Sequence, residues 1–271
     1  MAVRIICCDI DGTLVTDDKR ITEENRLWIK KAVEEKGVKF VLVSGRLLPA
    51  IRMVYEELGI SGPVSGFNGC ALYDENDQVV LEHRMSEENL RTIINVGRKC
   101  SMDLILFDGS SWCMDKREGF TYTQKRELYR RECEIVDFDE FCGTRQANKV
   151  VTMAENRKDL YRFIDALYEA GLNEDRVSFY LSTNFLEIME GGFSKGTSVK
   201  DLSEYYHVPL SDIMAIGDDY NDIDMLEIAG VSVAVANAVP EALAAAKYTT
   251  ASNNDSGVAK AIAKFVFGLY N

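Results

Sequence analysis

Short apolar runs alternate with helix-like stretches at both ends of this chain, and the middle interrupts the alternation. Residues 3–8 and 39–43 read as buried strands, being short, apolar and partly β-branched. Residues 22–36 and 49–58 read as helices stopped by Gly37 and Gly59, and Val64 then leads into the turn Phe67-Asn68-Gly69. A β-α-β-α opening of this kind specifies a parallel sheet with helices on both faces. The alternation resumes after Gly191 and Gly192 with helix 195–206, strand 213–216, a short helix after Asn221, strand 231–235 and helices 240–246 and 258–267.

Between these ends the pattern is different. Residues 71–73 and 79–81 flank the turn sequence DENDQ like a hairpin, and the chain is expected to leave the first sheet there. The interrupting segment reads as helix 86–99, strands 104–107 and 112–114, helix 121–131, strand 149–153, helix 158–170 and strands 177–181 and 185–189. The expected fold class is α/β: a doubly wound parallel sheet built from residues 1–83 and 190–271, interrupted by an α+β cap over residues 84–189. At 271 residues the chain is as long as single cores become before they split, which agrees with two lobes.

Composition removes several classes of function. A net charge of -13 opposes binding to nucleic acid and to anionic membranes. No apolar run is long enough to span a bilayer, and the opening MAVRIICCDIDG lacks the layout of a signal peptide, so a soluble cytoplasmic protein is expected. The seven cysteines form no CxxC pair and are expected to be reduced. With only two histidines, His83 and His207, a three-histidine zinc site is impossible, and proton transfer falls more economically to carboxylates.

In open α/β sheets the ligand crevice lies at the carboxyl ends of the strands. Four such places stand out: Asp9-Ile10-Asp11-Gly12-Thr13, Ser44-Gly45-Arg46, Lys195 after a turn, and Gly217-Asp218-Asp219-Tyr220-Asn221-Asp222. In this order they resemble the motifs of the haloacid dehalogenase superfamily, and the position of the cap narrows the likeness to its Cof-type sugar-phosphatase branch. The likeness covers essentially the whole chain. Ser44 stands where that branch often has threonine, which keeps the hydroxyl.

The resemblance implies a magnesium-dependent phosphatase acting through an aspartyl-phosphate, and the residue chemistry is consistent with it. A phosphate dianion repels an anionic nucleophile, so a carboxylate can attack only where a metal and cations neutralise the approach. Asp9 is the expected nucleophile and Asp11 the acid and base that serves the leaving alcohol and then water. Gly12 lets the backbone approach the phosphate closely, while Ser44, Gly45 and Asn221 are expected to hold its oxygens. Lys195 offsets the charge of Asp9 and of the phosphoryl group. Hard oxygen ligands suit Mg2+, with Asp9, the Asp11 carbonyl and Asp218 as ligands and Asp222 nearby, directly or through water. Arg46 either contacts substrate or pairs with an acid, and Asp219 reads as a solvated loop residue.

The alternatives are less consistent with the spacing. Neither acidic loop keeps an EF-hand register, since Tyr220 takes the third position after Asp218 and neither loop has glycine at the sixth. Gly192-Phe193-Ser194-Lys195-Gly196 fits a serine-nucleophile elbow, but its acid and histidine partners, Asp201 or Glu204 and His207, fall on or beside the same helix. A signalling receiver is shorter and has no cap. A phosphomutase or phosphotransferase would use the same core and differ in where the phosphoryl group goes. The expected partner is a small phosphorylated metabolite, with sugar phosphates first and pyridoxal phosphate or flavin mononucleotide as alternatives, bound by a monomer or homodimer. Trp112, Arg117 and Phe185 are candidate cap contacts.

Overall fold

The computed structural model describes residues 2–109, 111–129 and 132–269. The chain opens with β1 (Ile5–Cys8), α1 (Glu23–Lys36), β2 (Lys39–Val43), α2 (Leu48–Leu58), β3 (Val64–Gly66), β4 (Ala71–Tyr73) and β5 (Val79–Glu82). Next come α3 (Glu87–Cys100), β6 (Leu104–Asp108), β7 (Ser111–Met114), α4 (Phe120–Tyr129), β8 (Glu134–Ile135) and α5 (Phe138–Thr144). These lead to β9 (Lys149–Met153), α6 (Arg157–Glu169), β10 (Val177–Leu181) and β11 (Phe185–Glu190). The chain closes with α7 (Lys195–Tyr205), β12 (Ile213–Gly217), α8 (Ile223–Ile228), β13 (Val231–Ala234), α9 (Pro240–Ala245), β14 (Tyr248–Thr249) and α10 (Gly257–Phe265).

Two compact units result: one runs to Leu81 and resumes at Ser194, and the other is Glu82–Phe193. The first holds an eight-stranded sheet in the order β14-β13-β12-β1-β2-β3-β4-β5. Neighbours from β14 to β3 run parallel, and β4 pairs antiparallel with β3. All four residues of β1 are fully buried, as both faces of a central parallel strand require. The chain first builds outward from β1 to β2 and β3, then returns to the other side of β1 as β12, so a topological switch point lies between β1 and β12.

The helices begin and end where local chemistry dictates. Thr22 caps α1 by accepting the Asn25 amide at 3.1 Å, and Gly37 closes it in the left-handed region at φ 65°. Ser86 caps α3 in the same way, accepting from Asn89. Buried Tyr55 of α2 donates its hydroxyl to the carbonyls of Phe40 and Pro63, tying that helix to the sheet.

One expectation is corrected. The chain does not leave the first sheet at the 71–81 hairpin, because β4 and β5 continue that sheet edge. A hairpin looks the same locally whether its first strand pairs with the preceding strand or departs from it, and Val64–Gly66 pairs with Ala71–Tyr73. Residues 130 and 131, the last expected for the helix starting at 121, lie outside the described residues.

The inserted unit holds a six-stranded sheet in the order β10-β11-β9-β6-β7-β8, antiparallel except for the β7–β8 pair. Its apolar core joins Leu90, Ile93 and Ile94 of α3, Phe138 and Phe141 of α5, and Leu160 and Phe163 of α6 to Leu106, Val150 and Ile188 of the sheet. Both β8 and α5 are additions to the expected elements. Among the described residues, no helix is long and apolar enough to cross a membrane. All seven cysteines are free.

Candidate active site

Asp9 follows the last residue of β1 and Asp218 the last residue of β12, so the switch point brings both acids to the carboxyl edge of the sheet. Ser44 follows β2 at the same edge. Lys195 is the first residue of α7, which Ser194 caps through a reciprocal pair of bonds with Thr197. Its ammonium lies 2.6 Å from Asp9 Oδ1 and 2.5 Å from Asp222 Oδ1, with the whole side chain buried.

Carboxylate oxygens of Asp9, Asp218 and Asp222 all lie within 4.8 Å of one another. Burial pushes the Asp9 carboxyl well above its ordinary range; Lys195 opposes this, while Asp222 and Asp218 add to it. Burial likewise raises Asp218 to about 6, despite a hydrogen bond from the Thr13 hydroxyl at 2.5 Å. Burial alone would lower Lys195, but the charges of Asp222 and Asp9 outweigh it and hold the ammonium protonated. Three formal negative charges thus share one buried cation, and a divalent ion would neutralise the remainder. The donors are all hard oxygens, which fits magnesium.

Asp222 organises this edge. Its Oδ2 accepts the amides of Asp218 at 2.9 Å and Asp219 at 3.0 Å, while its Oδ1 accepts from Lys195. Gly217 is required beside it, since a Cβ there would come within 2.6 Å of the Asp222 side chain. Gly12 has φ 85°, and a Cβ there would collide with Asp218 Oδ2, so the glycine allows the two acidic loops to meet. Asp9 Oδ2 accepts no hydrogen bond from the described residues.

Asp11 is more exposed and lies under two cations. Arg46 grips it with both arms, Nε to Oδ2 at 2.7 Å and Nη2 to Oδ1 at 2.7 Å, and Lys19 Nζ reaches Oδ1 at 2.9 Å. Partial burial pushes its carboxyl up, but the hydrogen bonds and charges of Arg46 and Lys19 outweigh that and hold it below the usual range. Of the two roles left open for Arg46, pairing with an acid is the one displayed. Ser44 Oγ accepts the Arg46 amide at 3.2 Å, and the Ser44 carbonyl accepts the Asn68 amide at 3.0 Å. Asn68 in turn accepts from Asn221 Nδ2 at 3.0 Å, and a Cβ on Gly45 would lie 3.0 Å from its Oδ1. Two adjoining groups of polar residues, joined along the chain at Asn221 and Asp222, therefore gather the motif residues singled out in the sequence.

Three neighbours were not singled out there. Asn68 sits in the noted Phe67-Asn68-Gly69 turn with a left-handed φ of 54°. Asn237 follows β13 and donates to the Gly12 carbonyl at 2.7 Å; inspecting every strand end would have found it. Lys19 had no sequence signal beyond lying eight residues after Asp11.

The serine-hydrolase arrangement is absent. Ser194 is engaged in capping, and His207 lies beyond the far end of α7, about 16 Å away at 1.5 Å per residue. Among the candidate cap contacts, Trp112 is buried and stacks near Tyr122, while Arg117 donates to the Cys133 carbonyl at 3.2 Å. Phe185 lies under Lys125.

Similarity to known proteins agrees with this geometry. A model of the haloacid dehalogenase-like hydrolases matches residues 6–262. "Putative phosphatase YxeH" of Bacillus subtilis (strain 168) is 30% identical over 97% of this chain and 98% of its own length. From the same organism, 5-amino-6-(5-phospho-D-ribitylamino)uracil phosphatase YcsE is 28% identical over 97% of this chain and 96% of its own. The crystal structure of TM0651 from Thermotoga maritima shares the fold with a TM-score of 0.86 at 24% identity, covering 97% of both chains. With its four strand-end motifs gathered at one edge of a doubly wound sheet, the chain is an enzyme of the haloacid dehalogenase-like hydrolase family, in its Cof-type branch.

Proposed function

We propose that this enzyme is a magnesium-dependent phosphatase that hydrolyses small phosphorylated metabolites through a phosphoryl group carried on Asp9. The observation that carries the reading is the buried Asp9 carboxylate, held through one oxygen by Lys195 and crowded by Asp218 and Asp222. Such a group is a poor surface acid and a good nucleophile once its surplus negative charge is neutralised. Asp9, the Asp11 main-chain carbonyl and Asp218 would hold Mg2+, which when bound supplies that neutralisation.

The protein's own residues divide the rest of the work. Asp9 Oδ2 forms a bond to phosphorus as the bond to the leaving oxygen breaks; that oxygen keeps the electron pair and takes a proton from Asp11. Arg46 and Lys19 favour the carboxylate form of Asp11, which suits the second step; the arriving phosphate dianion opposes them and lets Asp11 take up the proton it delivers in the first. Asp11 next removes a proton from water, the water oxygen attacks phosphorus, and the bond to Asp9 breaks to release inorganic phosphate. Ser44, Gly45 and Asn221 hold phosphate oxygens, and Asp222 acts by fixing Lys195 and the Asp218 loop.

Sugar phosphates are the substrate class we favour, and a relative named for a phosphorylated ribitylamino compound supports a polyol phosphate. Selection among them is assigned to the inserted unit, because the strand-end residues deal with phosphate alone. The reading also places the enzyme in the cytoplasm. A panel of phosphorylated metabolites assayed with magnesium, alongside Asp9→Asn, tests it. Release of inorganic phosphate by the wild type and none by the variant is expected; turnover that survives in the variant overturns the reading.

A further inference from the structure

The loop after β13 grips both acidic loops of the site. Asn237 Nδ2 donates to the Gly12 carbonyl at 2.7 Å, and a little further on the Val239 amide donates to the Asp218 carbonyl at 2.9 Å. The Val235 amide reaches the Gly217 carbonyl at 3.3 Å. One short segment therefore ties the turn after β1 to the turn after β12.

The segment is itself anchored. The Asn253 amide donates to Asn237 Oδ1 at 2.8 Å, and the Ala236 amide donates to the Ala251 carbonyl at 3.3 Å. Asn253 is buried, and its side chain donates to the Val15 carbonyl at 3.0 Å. These contacts decide which way the Asn237 amide faces. An N–H can only donate and a carbonyl can only accept, so Oδ1 must turn to Asn253 and Nδ2 to Gly12.

Gly12 is where such a hold matters. At φ 85° and without a Cβ, it is the residue between Asp9 and Thr13 that its own backbone constrains least. The two peptide units that meet there carry the Asp11 carbonyl on one side and the Gly12 carbonyl on the other, so holding the second limits rotation of the first. The Thr13 hydroxyl also ties this turn to Asp218 Oδ1 at 2.5 Å, but it occupies an oxygen of a proposed ligand. Asn237 holds the turn without taking one.

We propose that Asn237 is a positioning residue of the metal site: it holds Gly12 while Val239 of the same loop holds the Asp218 main chain, and so sets the span between the Asp11 carbonyl and the Asp218 carboxylate before a cation arrives. The inference rests on the reading that these groups, with Asp9, bind magnesium. Residues that orient metal ligands are commonly worth about 10- to 100-fold in affinity. Asn237 is neutral, so its contribution comes from geometry rather than from added charge.

The test is magnesium binding by titration calorimetry without substrate, beside the Tm of the metal-free protein. Asn237→Ala is expected to raise the magnesium Kd about tenfold. The side chain is exposed and loses only neutral hydrogen bonds, so the metal-free Tm should fall by about 2–4 °C. Asn254→Ala is the comparison, because Asn254 is also exposed and braces the same loop after β1 at Asp17, with Nδ2 2.9 Å from Oδ2. It should lower Tm as much and leave the magnesium Kd unchanged. An unchanged Kd in Asn237→Ala, or equal weakening in both variants, would overturn the positioning role. In steady-state assays Asn237→Ala should need more magnesium for half-maximal rate while kcat at saturating magnesium stays near that of the wild type; a lower kcat with an unchanged magnesium requirement would also overturn it. Asp218→Asn separates the two layers. If it abolishes magnesium binding while Asn237→Ala binds as the wild type does, only the positioning inference fails. If Asp218→Asn itself binds magnesium as tightly as the wild type, the metal reading fails and the inference falls with it.

Discussion

Each unit buries a lysine beside a carboxylate, and the two cases are instructive side by side. In the inserted unit Lys149 of β9 lies 2.6 Å from Glu187 of β11. They are diagonal neighbours on one face of the sheet, since Glu187 is registered opposite Val151. In the other unit Lys195 begins a helix and faces Asp9 and Asp222 together, with Asp218 close by. Burial and contact distance are alike, so neither marks a functional lysine. The difference is surplus: Lys195 sits among more negative charge than it can neutralise, at the edge where strands end, and that imbalance is what suits it to a cation and a phosphoryl group.

The largest effect that could break this contrast is on turnover. Asp9→Asn should lower kcat at least about a thousandfold while the protein stays folded, measured by phosphate release and circular dichroism. Chelation with excess EDTA should stop the wild type equally completely, and added magnesium should restore it. Stability comes next. Lys149→Met removes a buried ammonium from beside the half-buried Glu187, which also feels the charge of Lys125, and should cost about 1–3 kcal/mol in denaturant unfolding. Lys195→Met should cost a similar amount without metal, but magnesium should offset much of it. Lys149→Met should show no such rescue.

A smaller effect depends on pH. Asp218 is raised from 3.8 to about 6, and Asp9 moves in the same direction. Such acids bind protons more tightly when folded, so metal-free stability is full below about pH 4 and falls as pH rises towards about 6. The full loss for Asp218 is about 3 kcal/mol, of which about 1 kcal/mol falls between about pH 5 and pH 7. Magnesium should therefore raise Tm more at about pH 7 than at about pH 5; equal gains would contradict the charge surplus. Gly12→Ala should cost about 1–3 kcal/mol through its positive φ and its collision with Asp218, and it should also weaken magnesium binding.

The contrast between the lysines also shows what a sequence can and cannot reveal. Lys195, which alone reads as a solvated lysine at a helix start, was legible because it stands in order among the DxDGT, SGR and GDxxND motifs, a series that resembles a known family. The Lys149–Glu187 pair was not, because it exists only once β9 and β11 adopt their register, and a shift of one residue would place one partner on the other face. The continuation of the first sheet through β4 and β5 was missed for a related reason: strand pairing is non-local, and a hairpin encodes only its own turn. Asn68, Asn237 and Lys19 are single polar residues in loops, where nothing periodic distinguishes a site residue from a solvated one. Their roles come from tertiary closeness to Asp11, Gly12 and Asn221.

The most direct measurement is to trap the phosphorylated protein. Quenching the enzyme during turnover and reducing it with borohydride converts an aspartyl-phosphate to an alcohol, which peptide mass spectrometry can locate. The account predicts this change at Asp9, in the presence of substrate and magnesium and not without them. An unmodified Asp9 under steady turnover, or the change at another residue, would contradict it.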